Sequence, residues 1–199
     1  FNDTATTEIY TLSLHDALPI LTYTTTIQEF LAGISPFNQL SRAARQKLST
    51  SCQLLRYRMG QTIVVRDKMP GQVSILFQGK ARLIGYDQRR QTPTTLKLLQ
   101  PGAILGWVSL VRGIPCETAI ASVETVCVTI NAADFLALLD TEKSFSDAFK
   151  ARCGLVEIFD LLGTELGRRA EAETDLKALA LLAWSDALVY NLQIGRAHV

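Results

Sequence analysis

The sequence predicts a mainly β-sheet domain, a sandwich or jelly roll, with α-helices at both ends. Short strand-like segments recur at a spacing of about ten residues between residues 53 and 131, separated by glycine, proline or polar turns. Apolar residues at helical spacing occur before this region and again after it. We therefore expect N-terminal helices at residues 21–52, a β-roll at 53–131 and C-terminal helices at 132–166.

The N-terminal region predicts two short helices. The first has one apolar face, formed by Ile27, Phe30, Leu31 and Ile34. Ser41 is a typical N-cap, because its hydroxyl can accept a free amide of the first turn, and it predicts a second helix from Arg42 to about Ser51.

The central region alternates apolar and polar residues in short segments rich in β-branched side chains. These segments are 55–59, 62–65, 73–77, 81–86, 95–99, 118–123 and 125–130. A polar stretch at 87–93 predicts a hairpin tip between two of the strands.

Helical spacing resumes at Asn131, a second candidate N-cap. A short helix is expected at 145–153, and another at 155–166 with a stripe of leucine and aromatic residues. Residues 167–193 are expected to contain a charged linker and the start of the following region, where a very apolar helix covers about 175–192. The stripe at 155–166 predicts packing on the β-roll, with dimerisation or signal relay as alternatives.

One short helical turn is predicted inside the strand region. Gly106 opens it and Gly113 closes it, with apolar residues between them. A one-turn helix between two strands directs free backbone N–H groups into a concave space. That geometry suits an anion such as phosphate.

Both ends of the chain are interpreted as non-native. Residues 2–20 resemble an in-frame translation of a sequencing-library adapter, and residues 194–199 resemble a second adapter. The natural sequence is then 21–193, and we expect it to be a fragment with both true ends missing. The two histidines, His15 and His198, fall in these ends.

The composition argues against several classes of function. Without a native histidine, imidazole catalysis and histidine-containing metal sites are not expected. The four cysteines form no C-x-x-C pair, so we interpret them as buried thiols of a reducing compartment. The net charge is only +1, which gives no electrostatic case for nucleic acid. No apolar run reaches the roughly 18 residues of a membrane span, so a soluble domain is expected.

Residues 27–166 resemble the cyclic nucleotide-binding domain family. The matching motifs are Phe30-Leu31 with Pro36-Phe37, Gly60-Gln61-Thr62-Ile63, the hairpin 73–83 around Gly79, and Leu99-x-x-Gly102-x-x-Leu105-Gly106. The resemblance implies a β-roll with a phosphate cassette and a non-catalytic regulatory or interaction role.

The cassette departs from the family at both ligand contacts. The resemblance implies a glutamate after Gly106 for the ribose hydroxyl, where this chain has Trp107, and an arginine for the cyclic phosphate, where it has Glu117. The degenerate cassette comprises Gly106, Trp107, Val108, Ser109, Glu117 and Thr118. Exchanging an arginine for a glutamate at about 5 Å costs roughly 6 kcal/mol at an effective dielectric near 20. No cofactor is therefore expected, and cyclic AMP or GMP is disfavoured.

Two side chains of the cassette have alternative interpretations. Trp107 either fills the pocket or stacks on an unknown ligand. Glu117 either forms an ion pair with Arg112 or Arg82, which we favour, or binds a cationic ligand. Arg82, Arg89 and Arg112 are candidates for replacing the lost arginine, and Arg82 and Arg112 are the substitute anion contacts we select. Cys116 is expected to be inert, since the neighbouring carboxylate disfavours its thiolate.

Four segments also resemble the N-terminal region of cyanobacterial peptidase-containing ABC exporters, the type I secretion permease/ATPases. They are YRMG at 57–60, LLQPG at 98–102, GIPCETA at 113–119 and FDLL at 159–162. This resemblance implies a cytoplasmic domain tethered to the inner membrane, whose partner is the rest of the exporter chain. Neither nucleic acid nor direct membrane contact is expected, and a homodimer through the C-terminal helices is possible. The alternatives are a cyclic-nucleotide or small-anion sensor and the effector domain of a catabolite-activator-type transcription regulator.

Overall fold

The computed structural model describes residues 26–87, 90–166 and 174–196, and two four-stranded antiparallel sheets form its centre. The first sheet has the order β1-β8-β3-β6 and the second has the order β2-β7-β4-β5. The strands are β1 (Gln53–Tyr57), β2 (Thr62–Val64), β3 (Gln72–Gln78), β4 (Ala81–Asp87), β5 (Thr92–Leu99), β6 (Ile104–Leu105), β7 (Thr118–Ala121) and β8 (Thr125–Asn131).

The sheets are held together by small and branched apolar side chains. Leu76, Leu105, Ala119 and Cys127 form one buried cluster with residues of both sheets. In β7 the alternation puts Ala119 and Ala121 in this core. The predicted mainly β fold, a jelly-roll type with flanking helices, is confirmed.

The N-terminal helices close one side of the roll. Residues 26–32 are helical and form α1, a 3₁₀ turn follows at Phe37–Gln39, and α2 is Arg42–Ser51. The N-cap predicted at Ser41 is confirmed, since its Oγ accepts a hydrogen bond from Ala44 N at 3.1 Å.

The short helix predicted inside the strand region is α3 (Trp107–Arg112), between β6 and β7. The C-terminal helices are α4 (Ala132–Thr141), α5 (Lys143–Lys150), α6 (Leu155–Leu166) and α7 (Leu176–Arg196). Asn131 is the N-cap of α4, because its Oδ1 accepts from Ala133 N at 2.8 Å. None of the described helices is both long and apolar enough to cross a bilayer.

The last two helices cover the second sheet. Phe159 of α6 lies directly against Gly85 of β4, where a Cβ atom would come within 2.7 Å of the ring. Leu176 and Ala180 of α7 are buried in the same cluster as Leu83 and Phe159. The stripe predicted at 155–166 therefore packs on the roll. Residues 1–25, 88–89, 167–173 and 197–199 lie outside the described residues. They include most of the linker expected at 167–174, the whole N-terminal non-native segment, part of the C-terminal one at 194–199, and Arg89 in the hairpin tip.

Candidate functional site

The N-terminus of α3 is shaped by a glycine in the left-handed region. Gly106 has φ 82°, and a Cβ atom there would come within 2.9 Å of Gln72 O. The chain can therefore turn sharply from β6 into α3 only with glycine at this position. The turn brings the first amides of α3 beside Glu117, which precedes β7.

A cavity of about 380 Å³ lies beside α3. Its walls come from β4, β5, β6, α3, α6, α7 and the connector 151–154 between α5 and α6. Most of the lining is apolar and includes two indole rings, Trp107 and Trp184. Three acidic or basic side chains also line it, namely Lys97, Glu117 and Arg152. A mostly apolar cavity with a few polar groups is typical of a small-molecule site.

Glu117 is the most deeply buried charged residue of this cavity, with 3% of its surface exposed. Burial raises the pKa of its carboxyl group to about 7, although the backbone amides of Val108, Gly106 and Ser109 face the carboxylate and oppose the shift. Within the described part of the chain, its Oε2 atom has no hydrogen-bond partner. The side chain therefore places an acid group at the amides that would otherwise face an external anion.

The ion pair favoured for Glu117 is wrong. Arg112 Nε donates instead to Glu157 Oε1 at 2.6 Å, because the end of α3 faces α6 rather than the start of β7. Arg82 is exposed on β4. Neither arginine is among the residues that line the cavity, so the two substitute anion contacts are not brought to it.

The other cassette residues have separate surroundings. Trp107 is 8% exposed, and its ring packs against Phe149 with centroids 5.3 Å apart, so it fills space between the cavity and the helical core. Val108 is buried and lines the cavity. Ser109 Oγ accepts from Cys116 N at 3.1 Å, and Thr118 Oγ1 accepts from Arg66 N at 3.1 Å. Ser109 and Thr118 therefore support the local backbone.

Three cavity residues were missed by the sequence analysis. Lys97 Nζ lies 4.0 Å from the centroid of the Trp184 ring. Arg152 donates from Nη1 to Ser35 O at 3.1 Å and from Nη2 to Ser35 Oγ at 2.9 Å. Trp184, an aromatic side chain in an aliphatic helix, carried a weak sequence signal, whereas Lys97 and Arg152 carried none.

The connector between α5 and α6 is bonded on several sides. Arg112 Nη2 donates to Arg152 O at 2.8 Å, and Trp184 Nε1 donates to Cys153 O at 3.1 Å. Gly154 N donates to Glu157 Oε2 at 2.6 Å. A Cβ atom on Gly154 would come within 2.7 Å of Val108 Cγ2. The connector thus joins α3, the N-terminal segment and α7 at the wall of the cavity.

The sequence profile of the cyclic nucleotide-binding domain family matches residues 54–142. This match covers both sheets, α3 and α4. This part of the chain is therefore similar to a cyclic nucleotide-binding domain. No curated protein sequence matches the chain significantly.

Solved structures share the fold of this domain. The regulatory domain of Toxoplasma gondii protein kinase A, crystallised with cAMP, matches with TM-score 0.56 and 17% identity, over 74% of this chain and 51% of the other. The sensor domain of the transcriptional regulator DNR from Pseudomonas aeruginosa matches with TM-score 0.58 and 15% identity, over 76% and 99%.

A third structure is the regulatory subunit of a cAMP-independent protein kinase A from Trypanosoma cruzi, bound to guanosine. It matches with TM-score 0.55 and 17% identity, over 61% of this chain and 43% of the other. The chain spans about half the length of the two parasite proteins. These likenesses establish the fold of the domain.

Proposed function

We propose that this chain is a non-catalytic regulatory or interaction domain of the cyclic nucleotide-binding type that does not bind cyclic AMP or GMP in the family's usual way. One observation carries this proposal. The buried carboxyl group of Glu117 lies at the amides of α3, where the resemblance places the cyclic phosphate. An internal acid thus takes the position of the external anion.

The electrostatic cost of having Glu117 in place of an arginine is smaller than the roughly 6 kcal/mol expected from the sequence, but it still opposes nucleotide binding. Because the pKa of Glu117 is raised to about 7, a nearby phosphate would bring a proton onto the carboxyl group at little cost. The repulsion is then largely removed, while the attraction of the missing arginine, about 3 kcal/mol, stays lost. Trp107 packs on Phe149 and offers no acceptor for ribose hydroxyls.

The contacts of α3 support a relay or bracing role. Arg112 bonds both to Glu157 of α6 and to the carbonyl of Arg152 in the connector. Trp184 of α7 bonds to the next carbonyl along the connector. A displacement of α3 would therefore change the positions of α6 and α7.

We further propose that the domain forms the N-terminal cytoplasmic part of a peptidase-containing ABC exporter, tethered to the inner membrane. The four segments that resemble these exporters support this context. The partner of the domain would be the rest of the exporter chain. A homodimer through α6 and α7 is a compatible arrangement. Sequencing the gene downstream of the Gln193 codon tests this context. A cysteine-peptidase region and a G-x-x-x-x-G-K-[ST] motif support it, and a helix-turn-helix contradicts it.

Isothermal titration with cyclic AMP and cyclic GMP tests the ligand part. The unmodified chain should give no binding in the micromolar range. Glu117→Arg should gain at least about tenfold in affinity for cyclic AMP, and Glu117→Gln, which is uncharged, should gain less. Micromolar binding of either nucleotide by the unmodified chain would refute the proposal.

A further inference from the structure

The charge beside the amides of α3 is inverted relative to a phosphate site. The deepest polar group is an acid, Glu117, with one carboxylate oxygen that lacks a hydrogen-bond partner within the described residues. The amides of Gly106, Val108 and Ser109 face the carboxylate, but a buried carboxylate oxygen without a donor of its own is still costly. A ligand cation or an amine N–H group would supply the missing partner of that oxygen.

Two cations occupy other parts of the same wall. Lys97 and Arg152 are half-buried, and burial lowers the pKa of each. Lys97 Nζ faces the indole of Trp184, and Arg152 bonds to the neutral Ser35. Among the described residues neither cation pairs with a carboxylate. The wall therefore also offers positive charge to a ligand anion.

The rest of the lining is apolar. Leu155 and Val156 of α6 and the ring of Trp184 face the same cavity. Its volume of about 380 Å³ is within the roughly 300–1,000 Å³ of small-molecule sites. A ligand complementary to the acid, the cations and the apolar side chains has an ammonium group, a carboxylate and a short apolar body.

We propose that this cavity binds a small zwitterion of the amino-acid class, with its ammonium group at Glu117, its carboxylate at Lys97 and its apolar part against Trp184. The inference rests on the proposed function, because in a cavity that binds cyclic nucleotides an acid at the amides of α3 would repel the phosphate. It names the ligand class of the same site. The ligand would hold α3, α6 and α7 together through the cavity wall.

Thermal-shift and calorimetric titrations of the full chain test it with three zwitterions of different charge separation: L-phenylalanine, 4-aminobutyrate and 6-aminohexanoate. At least one should bind. Blocking its amine by acetylation, or its carboxylate as the amide, should each weaken binding at least about tenfold.

Two variants assign the groups. Glu117→Gln should weaken the zwitterion at least tenfold and leave the N-acetyl derivative unaffected, whereas Lys97→Met should weaken the zwitterion and leave the amide unaffected. Glu124→Gln and Arg82→Met, both exposed and outside the cavity, are the matched controls and should change nothing. A loss that is confined to the zwitterion indicates a direct contact, whereas a structural effect would weaken the zwitterion and its blocked derivative equally.

Three results would overturn the inference: no binding of any zwitterion up to about 10 mM, equal binding of the blocked derivatives, or equal losses in both variants for every ligand form. Cyclic nucleotide binding is measured separately. Its appearance would refute the proposed function, whereas zwitterion failure alone leaves that function standing.

Discussion

Arg112, the last residue of α3, donates from Nε to Glu157 Oε1 of α6 at 2.6 Å. Glu157 uses its other oxygen to accept from Gly154 N at 2.6 Å, so the carboxylate spans α3 and the start of α6. This pair connects the helix that faces the cavity to the C-terminal helices. It also explains why Arg112 is not available to Glu117.

The Arg112–Glu157 pair should couple the two helices energetically. Both side chains are partly exposed, at 32% and 26%, so solvent screening limits the coupling to about 1 kcal/mol. A double-mutant cycle with Arg112→Met and Glu157→Gln, followed by urea unfolding, measures it. The pair Lys143–Asp147, at 90% and 60% exposure, is the matched control and should show almost none. Equal coupling in both pairs would contradict the connecting role.

Glu117 should make stability depend on pH. Its folded-state pKa of about 7 lies above the ordinary value of 4.5, because burial favours the neutral acid. The stabilisation is therefore fully present below about pH 4.5 and is lost as the pH rises through about 7. Between about pH 5 and pH 8, the free energy of unfolding of the chain should fall by about 2–3 kcal/mol relative to that of Glu117→Gln. Urea unfolding of both proteins at the two pH values checks this, and parallel behaviour of the two proteins would contradict it.

Gly154 should be intolerant of a side chain. Gly154→Ala would place its Cβ atom within 2.7 Å of Val108 Cγ2, and we expect a loss of about 1–3 kcal/mol. Val108→Ala makes room, so the double variant should lose less than the sum of the single losses. Gly163→Ala in α6 is the control, since no atom lies within 4 Å of the position that its Cβ atom would take, and it should be neutral or stabilising by about 0.5–1 kcal/mol.

Cys153 should be the fast-reacting thiol of the described cysteines. It is exposed, so the interpretation of all four cysteines as buried thiols is wrong for Cys153. Burial raises the pKa of Cys52 and Cys127 to about 12 and that of Cys116 to about 11. Titration of the native chain with a chromogenic disulfide at about pH 8 should show one rapid equivalent. Cys153→Ser should abolish that phase, and a rapid phase that survives in this variant would contradict the assignment.

The elements of the fold could be predicted where local signals were strong. Ser41 and Asn131 have side chains that cap the helix that follows them, and both caps are present. Gly106 marks the entry to α3 because its φ of 82° is costly for other residues. These features depend on residues close together in sequence, so a single sequence contains them.

The surroundings of the site could not be predicted in the same way. Which acid pairs with Arg112 depends on how α6 crosses the roll, 45 residues further along the chain. Lys97 and Trp184 meet because α7 packs back over β5. Such contacts follow from tertiary packing, and no local periodicity or cap encodes them.

The bond from Trp184 to the carbonyl of Cys153 has a mechanical consequence. A pull on α7 would reach the connector through this indole, and then Ser35 through Arg152, in addition to the second sheet on which Leu176 and Ala180 pack. The sheets resist shear through their long ladders of backbone hydrogen bonds, whereas the connector depends on a few isolated ones. Tension from the C-terminal side would therefore act on the cavity wall at the connector as well as on the second sheet, and the connector has fewer hydrogen bonds with which to resist it.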